Sequence, residues 1–130
     1  MTELTLLLAA LTFGGMTFFS FGFAPVLFAQ LPIEKVRPLL RGTFPFYYLA
    51  VLCLSGLTAA AAIFAEQTVA IIFGFIFLTT VYARQVLMNQ INAATDRKDQ
   101  RMFNLLHGLS VVIQLIQIGI AGWAVVLLSG

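Results

Sequence analysis

Met102–Leu128 reads MFNLLHGLSVVIQLIQIGIAGWAVVLL, and no Asp, Glu, Lys or Arg interrupts it. A helix needs roughly 20 apolar residues to cross a hydrocarbon core about 30 Å thick, and this stretch exceeds that. Working outward, three further segments read the same way. Spans are expected at about residues 4–30, 44–64, 68–92 and 102–128. The chain of 130 residues is 61% hydrophobic and 9% charged, with a mean hydropathy of +1.01. So much apolar surface cannot be hidden in one soluble core of this size and requires lipid as solvent. The expectation is an all-α fold: an integral membrane four-helix bundle of up-down topology with short loops, forming a single transmembrane domain over residues 1–130.

Apart from Arg84 in the third span, charge lies in the connections and at the N-terminus. Glu34, Lys35, Arg37 and Arg41 lie between the first two spans, and Asp96, Arg97, Lys98, Asp99 and Arg101 between the last two. The opposite side carries only Glu3 and Glu66. Basic loops stay on the cytoplasmic side, so loops 31–43 and 93–101 are expected there, with both termini outside. Trp123 then falls near the outer interface and Tyr47 and Tyr48 near the inner one. A bacterial inner (plasma) membrane is the expected location. A net charge of +2 spread over two hairpins makes no groove-sized basic patch, so no nucleic-acid partner is expected. The apolar N-terminus begins with Glu3 instead of a basic cluster and lacks an A-x-A cleavage pattern, which reads as a retained helix. Cys53 is the single cysteine, so no intrachain disulfide can form.

Within the spans, Pro25 predicts a kink just before it in the first helix. Thr43 is placed to cap the second span, with Pro45 in its first turn, where a missing N–H is harmless. Ser55, Gly56, Ala59 and Ala60 recur at spacing four and predict a helix-packing face. The short Ala65-Glu66-Gln67 turn makes the third helix antiparallel to the second. Arg37-x-x-x-Arg41 before Phe44 and Arg97-x-x-x-Arg101 before Phe103 form a faint repeat, compatible with duplication or with chance.

Few side chains can carry chemistry. At 100° per residue, His107, Ser110, Gln114 and Gln117 share an arc of roughly 80°, and Gln85, Met88, Asn89 and Asn92 one of roughly 100° on the antiparallel neighbour. The two stripes are expected to face each other. One reading is structural hydrogen bonding between helices, worth about 0.6 kcal/mol per contact. The other is a polar cavity at the cytoplasmic end, drawing on Tyr47, Tyr48, Arg84, Gln85, Asn89, Asn92, Asn104, His107, Ser110 and Gln114. Arg84 either snorkels to the headgroups or holds an anionic group. His107, the only histidine, is a candidate proton carrier, metal ligand or haem ligand. Met16, Met88, Met102 or Cys53 could add soft ligands for copper. All five carboxylates lie at helix ends or in loops, which disfavours ion-coupled transport. Zinc, phosphate-loop and nucleophile-elbow patterns are missing, so no standard enzyme class is signalled.

Four segments carry a resemblance: Phe21-Gly-Phe-Ala-Pro25-Val-Leu-Phe28, Phe44-Pro45-Phe-Tyr-Tyr48, Met88-Asn-Gln-Ile-Asn92 and Phe103-Asn-Leu-Leu-His107-Gly-Leu-Ser110. In order and spacing they resemble the transmembrane-protein-205-like family, also catalogued as a domain of unknown function, DUF4149. The resemblance implies a four-helix membrane protein of unsettled activity and carries over Pro25, Phe28, Phe44, Pro45, Asn92, His107 and Ser110. It implies a more distant likeness to the copper-resistance membrane domain of the CopD type, whose richer histidine content is missing here. Three functions follow as expectations. The first is a binding or accessory component, as a homo-oligomer or a subunit of a larger membrane complex. The second is transport or resistance for a small solute or metal through the cytoplasmic-side cavity. The third is an oxidoreductase with haem on His107. No cofactor is specified beyond these alternatives, and the lipid bilayer is the expected partner throughout.

Overall fold

The computed structural model describes Thr2–Gly130; Met1, part of the expected domain 1–130, lies outside the described residues. Four helices account for nearly all of it: α1 Thr2–Gln30, α2 Ile33–Ala62, α3 Gln67–Asp96 and α4 Gln100–Ser129. Each is long and apolar enough to cross a membrane. The chain is an all-helical, multi-pass integral membrane protein, and its outward-facing apolar side chains meet the bilayer. Successive helices are antiparallel neighbours, and α4 returns to pack against α1, closing the bundle.

The second helix differs from its expected bounds. It starts at Ile33, so the segment expected as loop 31–43 is mostly its first turns. At 30 residues and about 1.5 Å per residue the helix is about 45 Å long. The hydrocarbon core takes about 30 Å, which leaves the charged turns beyond it. Thr43 is therefore no cap; it sits within the helix and its hydroxyl donates to the Leu39 carbonyl at 2.7 Å. Pro38 and Pro45 likewise lie inside the helix. Each lacks the N–H that would serve the carbonyl four residues back. Arg84 Nε of α3 donates to the Pro45 carbonyl at 3.3 Å, tying α3 to α2 at this level.

Two π-helical turns interrupt the regular ladders. In α1 the turn is Phe18–Phe23, where the Ala24 N–H reaches back to the Phe19 carbonyl. It directly precedes Pro25, where a break was expected, because the proline ring cannot sit over the carbonyl four residues back. In α3 the turn is Ala83–Leu87.

The α3–α4 connection is tighter than the expected 93–101 loop, since α3 runs to Asp96. The Asp99 N–H bonds the Ala94 carbonyl at 2.9 Å and the Lys98 N–H bonds the Thr95 carbonyl at 3.1 Å. This is a Schellman ending, which needs a left-handed residue, and Lys98 supplies it at φ 56°. Asp99 then caps α4, its Oδ1 accepting from the Met102 N–H at 3.1 Å.

The core lies toward the end that holds the termini and the α2–α3 turn. Ala9 and Met16 from α1, Val51 and Ala62 from α2, Phe73 and Ile76 from α3, and Ala121 and Ala124 from α4 meet there. Small residues bring the helices close. A Cβ added to Gly56 would stand 3.4 Å from the Phe77 ring, and one added to Gly122 would stand 3.0 Å from the Phe13 ring. Of the expected small-residue face, Ser55 is buried and Gly56 and Ala59 half-buried, whereas Ala60 points outward. Three buried hydroxyls are satisfied within their own helices, Thr12 bonding Leu8, Ser55 bonding Val51 and Thr58 bonding Leu54, whereas the buried Thr17 hydroxyl has no partner among the described residues.

Candidate functional site: a blind cleft at the charged end

At the other end the helices part. A cleft of about 590 Å³ opens there, lined by residues of all four helices and of the α3–α4 turn. Pockets of about 300–1,000 Å³ are the usual size for small-molecule sites. The walls are uneven. Arg37, Leu40, Phe44 and Tyr48 come from α2, Met88, Ile91 and Asn92 from α3, and Phe103, His107 and Ser110 from α4; α1 gives only Phe28. The reason lies in α1, where Thr2–Thr17 packs on both α2 and α4, while Ala24–Gln30 packs on α2. The α1–α4 side is thus the thin wall.

Aromatic stacking fixes the α1–α2 side. Phe19 stacks on Tyr47 with ring centroids 4.1 Å apart, and Phe44 sits edge-on to Phe19 at 5.4 Å. Tyr47 and Tyr48 therefore lie half-buried and buried between the helices. Trp123 is exposed on the outside of the bundle. On α4, Phe103 and His107 stack in parallel with centroids 5.5 Å apart.

The polar stripe of α4 divides into three levels. His107 and Ser110 line the cleft, with the Ser110 hydroxyl donating to the His107 carbonyl at 2.7 Å. Gln114, one turn deeper, donates through Nε2 to Ser20 Oγ and to the Tyr47 hydroxyl. Gln117, only 4% exposed, donates to Thr79 Oγ1 at 2.7 Å and Thr80 Oγ1 at 3.1 Å. Beyond Gln117 the inward face of α4 is Ile118, Ala121, Ala124 and Leu128, all in the core. The polar track stops there, and the cleft is blind.

The α3 stripe does not face α4 as a unit. Met88 and Asn92 line the cleft, but Gln85 and Asn89 are exposed, and Asn89 Nδ2 bonds its own helix at the Gln85 carbonyl. The π-helical turn at Ala83–Leu87 alters the rotation per residue, so an arc drawn at 100° per residue fails across it. Arg84 is directed at α2 through its bond to Pro45. Asn104 is exposed on the outer face of α4, where it accepts from Gln100 Nε2 at 2.8 Å. Of the motif positions, Phe28 and Phe44 line the cleft, Pro45 accepts from Arg84, and Pro25 follows the π-helical turn of α1. Sequence reading missed Ser20, Thr79 and Thr80, the partners of the two glutamines. The adjacent threonines in an otherwise apolar span were the available signal.

The rim is charged. Arg41 makes a two-point ion pair with Asp96, at 2.8 and 3.0 Å, tying the start of α2 to the end of α3. Asp99 faces Arg97 at 3.9 Å while capping α4. For metals, His107 shares the cleft with Met88, but Met16 is in the core and Cys53 is exposed. Among the described residues no group of three His, Cys, Asp or Glu side chains converges.

The family model "Domain of unknown function (DUF4149)" matches residues 7–100. The chain belongs to the DUF4149 family. The matched residues take in the α1, α2 and α3 walls of the cleft and the Lys98 turn; the α4 wall with Phe103, His107 and Ser110 follows them. No curated protein and no solved structure matches the chain.

Proposed function

We propose that this DUF4149 protein is a binding component of the membrane, which takes a small membrane-resident ligand into the cleft at its charged end. The supporting observation is the cleft's shape: apolar walls, a charged rim, a thin side toward α1 and α4, and a packed core beneath. A closed floor favours holding a ligand over passing one through, so binding ranks above transport. His107 and Ser110 at the depth of Phe44, with Tyr48 and Asn92 across from them, orient the ligand. Gln114 holds the α1–α2–α4 junction beneath it. By the distribution of basic residues, the rim faces the cytoplasm of a bacterial inner membrane and the termini face outward. In that orientation the protein serves as a binding or accessory component, as a homo-oligomer or as a subunit of a larger membrane complex, that presents its ligand at the inner leaflet.

Photo-crosslinking in native membranes tests this. A lipid probe with a diazirine near its headgroup should label peptides containing Met88 or Phe103 in preference to those of the outer face. Labelling confined to outward residues such as Leu7, Leu57 and Leu78 would remove the cleft from the account.

A further inference from the structure

The ion pairs on the rim reveal which charges are spoken for. Four charged residues line the cleft: Arg37, Arg41, Lys98 and Asp99. Arg41 is neutralised by Asp96 in the two-point pair. The Asp99 carboxylate is engaged twice, by the Met102 N–H and by Arg97. Arg37 and Lys98 have no ion-pair partner among the described residues. They stand on different walls, Arg37 one helical turn ahead of Arg41 on α2 and Lys98 in the α3–α4 turn. Lys98 also holds a left-handed backbone conformation that glycine would adopt more easily.

Beneath these two cations the walls are apolar: Leu40, Phe44, Met88, Ile91 and Phe103. Charge above and hydrocarbon below is the order of a lipid at a leaflet surface. The rim lies at the end of the apolar spans, at headgroup depth, so a lipid can slide in past Phe28 without leaving its own depth in the bilayer. A zwitterionic head would bring its own cation against Arg37 and Lys98. A head with net negative charge would not.

Building on the cleft-binding reading, we propose that the ligand is an anionic glycerophospholipid, its phosphate set between Arg37 and Lys98 and the upper part of one acyl chain lying over Phe44 and Phe103. Arginine and lysine both bind phosphate well, the first through its planar fork and the second as a point charge.

The test is native mass spectrometry of the purified full-length chain in mild detergent, titrated separately with dioleoyl phosphatidylglycerol, dioleoyl phosphatidylcholine and inorganic phosphate. One phosphatidylglycerol per chain should be retained more tightly than phosphatidylcholine. Joint replacement Arg37→Gln and Lys98→Gln should weaken phosphatidylglycerol binding on the order of 30-fold, from the usual contribution of each basic residue near an anionic head. The control pair Lys35→Gln and Arg101→Gln removes the same charge from the same end outside the cleft and should have far less effect. Ser110→Phe, or Asn92→Phe from the opposite wall, fills the cleft and should abolish binding of both lipids in a chain whose circular dichroism is unchanged. Equal binding of the two lipids, lost on filling the cleft but indifferent to Arg37 and Lys98, would overturn the anionic ligand and leave the cleft reading standing. Displacement of phosphatidylglycerol by inorganic phosphate at matching concentration would overturn the lipid in favour of a free anion. Binding that survives both filling variants would overturn the two readings together.

Discussion

The two ends of this bundle are built from the same four helices and the same apolar composition, yet one is filled and the other is split. At the end carrying the α2–α3 turn, alanines and glycines let the backbones close in, and Phe73, Ile76, Met16 and Val69 fill what remains. At the charged end, aromatic rings occupy comparable positions: Phe44 and Tyr48 on α2 and Phe103 and His107 on α4 line the cleft, and Pro38 and Pro45 lie inside α2. Bulky rings that stack on one another hold helices apart. In a membrane the hydrophobic effect does not draw helices together, so close packing depends on complementary small residues and on polar contacts. Where both are present the bundle seals; where they give way to rings and charge, it opens.

That contrast predicts unequal sensitivity to substitution. Phe73→Ala in the filled end should cost about 3 kcal/mol in reversible unfolding from mixed micelles, as for other large-to-small changes at fully buried sites. Phe103→Ala in the split end removes little more than its stacking on His107 and should cost no more than about 1 kcal/mol. Equal losses would erase the distinction between the ends. Lys98→Gly, which relieves the left-handed backbone of the α3–α4 turn, should stabilise the chain by about 1 kcal/mol in the same assay. Gln117→Leu sits at the boundary. Thr80 bonds the Ile76 carbonyl and Thr79 the Phe75 carbonyl without it, so a loss of only about 0.6 kcal/mol is expected. Asp96→Asn breaks an exposed pair and should shift stability least of all in the same assay.

Much of the architecture was legible in the sequence because one physical quantity, the length of uncharged apolar runs, decides it. The four spans, their antiparallel order and the placement of charge at one end all follow from that. What escaped was local. Thr43 and Pro45 pointed to a helix beginning near Phe44, but α2 begins at Ile33 and carries both residues, with Pro38, in its interior. The α4 stripe of His107, Ser110, Gln114 and Gln117 was readable because α4 has no interruption. The α3 stripe was not, since Gln85 lies within a π-helical turn and Asn89 stands at the edge of the arc, so both face outward while Met88 and Asn92 line the cleft. The partners of Gln114 and Gln117 depended on which helices meet at which depth, and no spacing within a single helix encodes that.

Cysteine accessibility in membrane vesicles measures the contrast between the two ends most directly. In a Cys53→Ser background, Ser110→Cys lies in the cleft and Ala121→Cys in the core, on the same inward stretch of α4. A small, charged thiol reagent applied from the charged side should modify Ser110→Cys and leave Ala121→Cys untouched. Comparable modification of both would mean an aqueous path through the filled end, and the account of a blind binding cleft would be wrong.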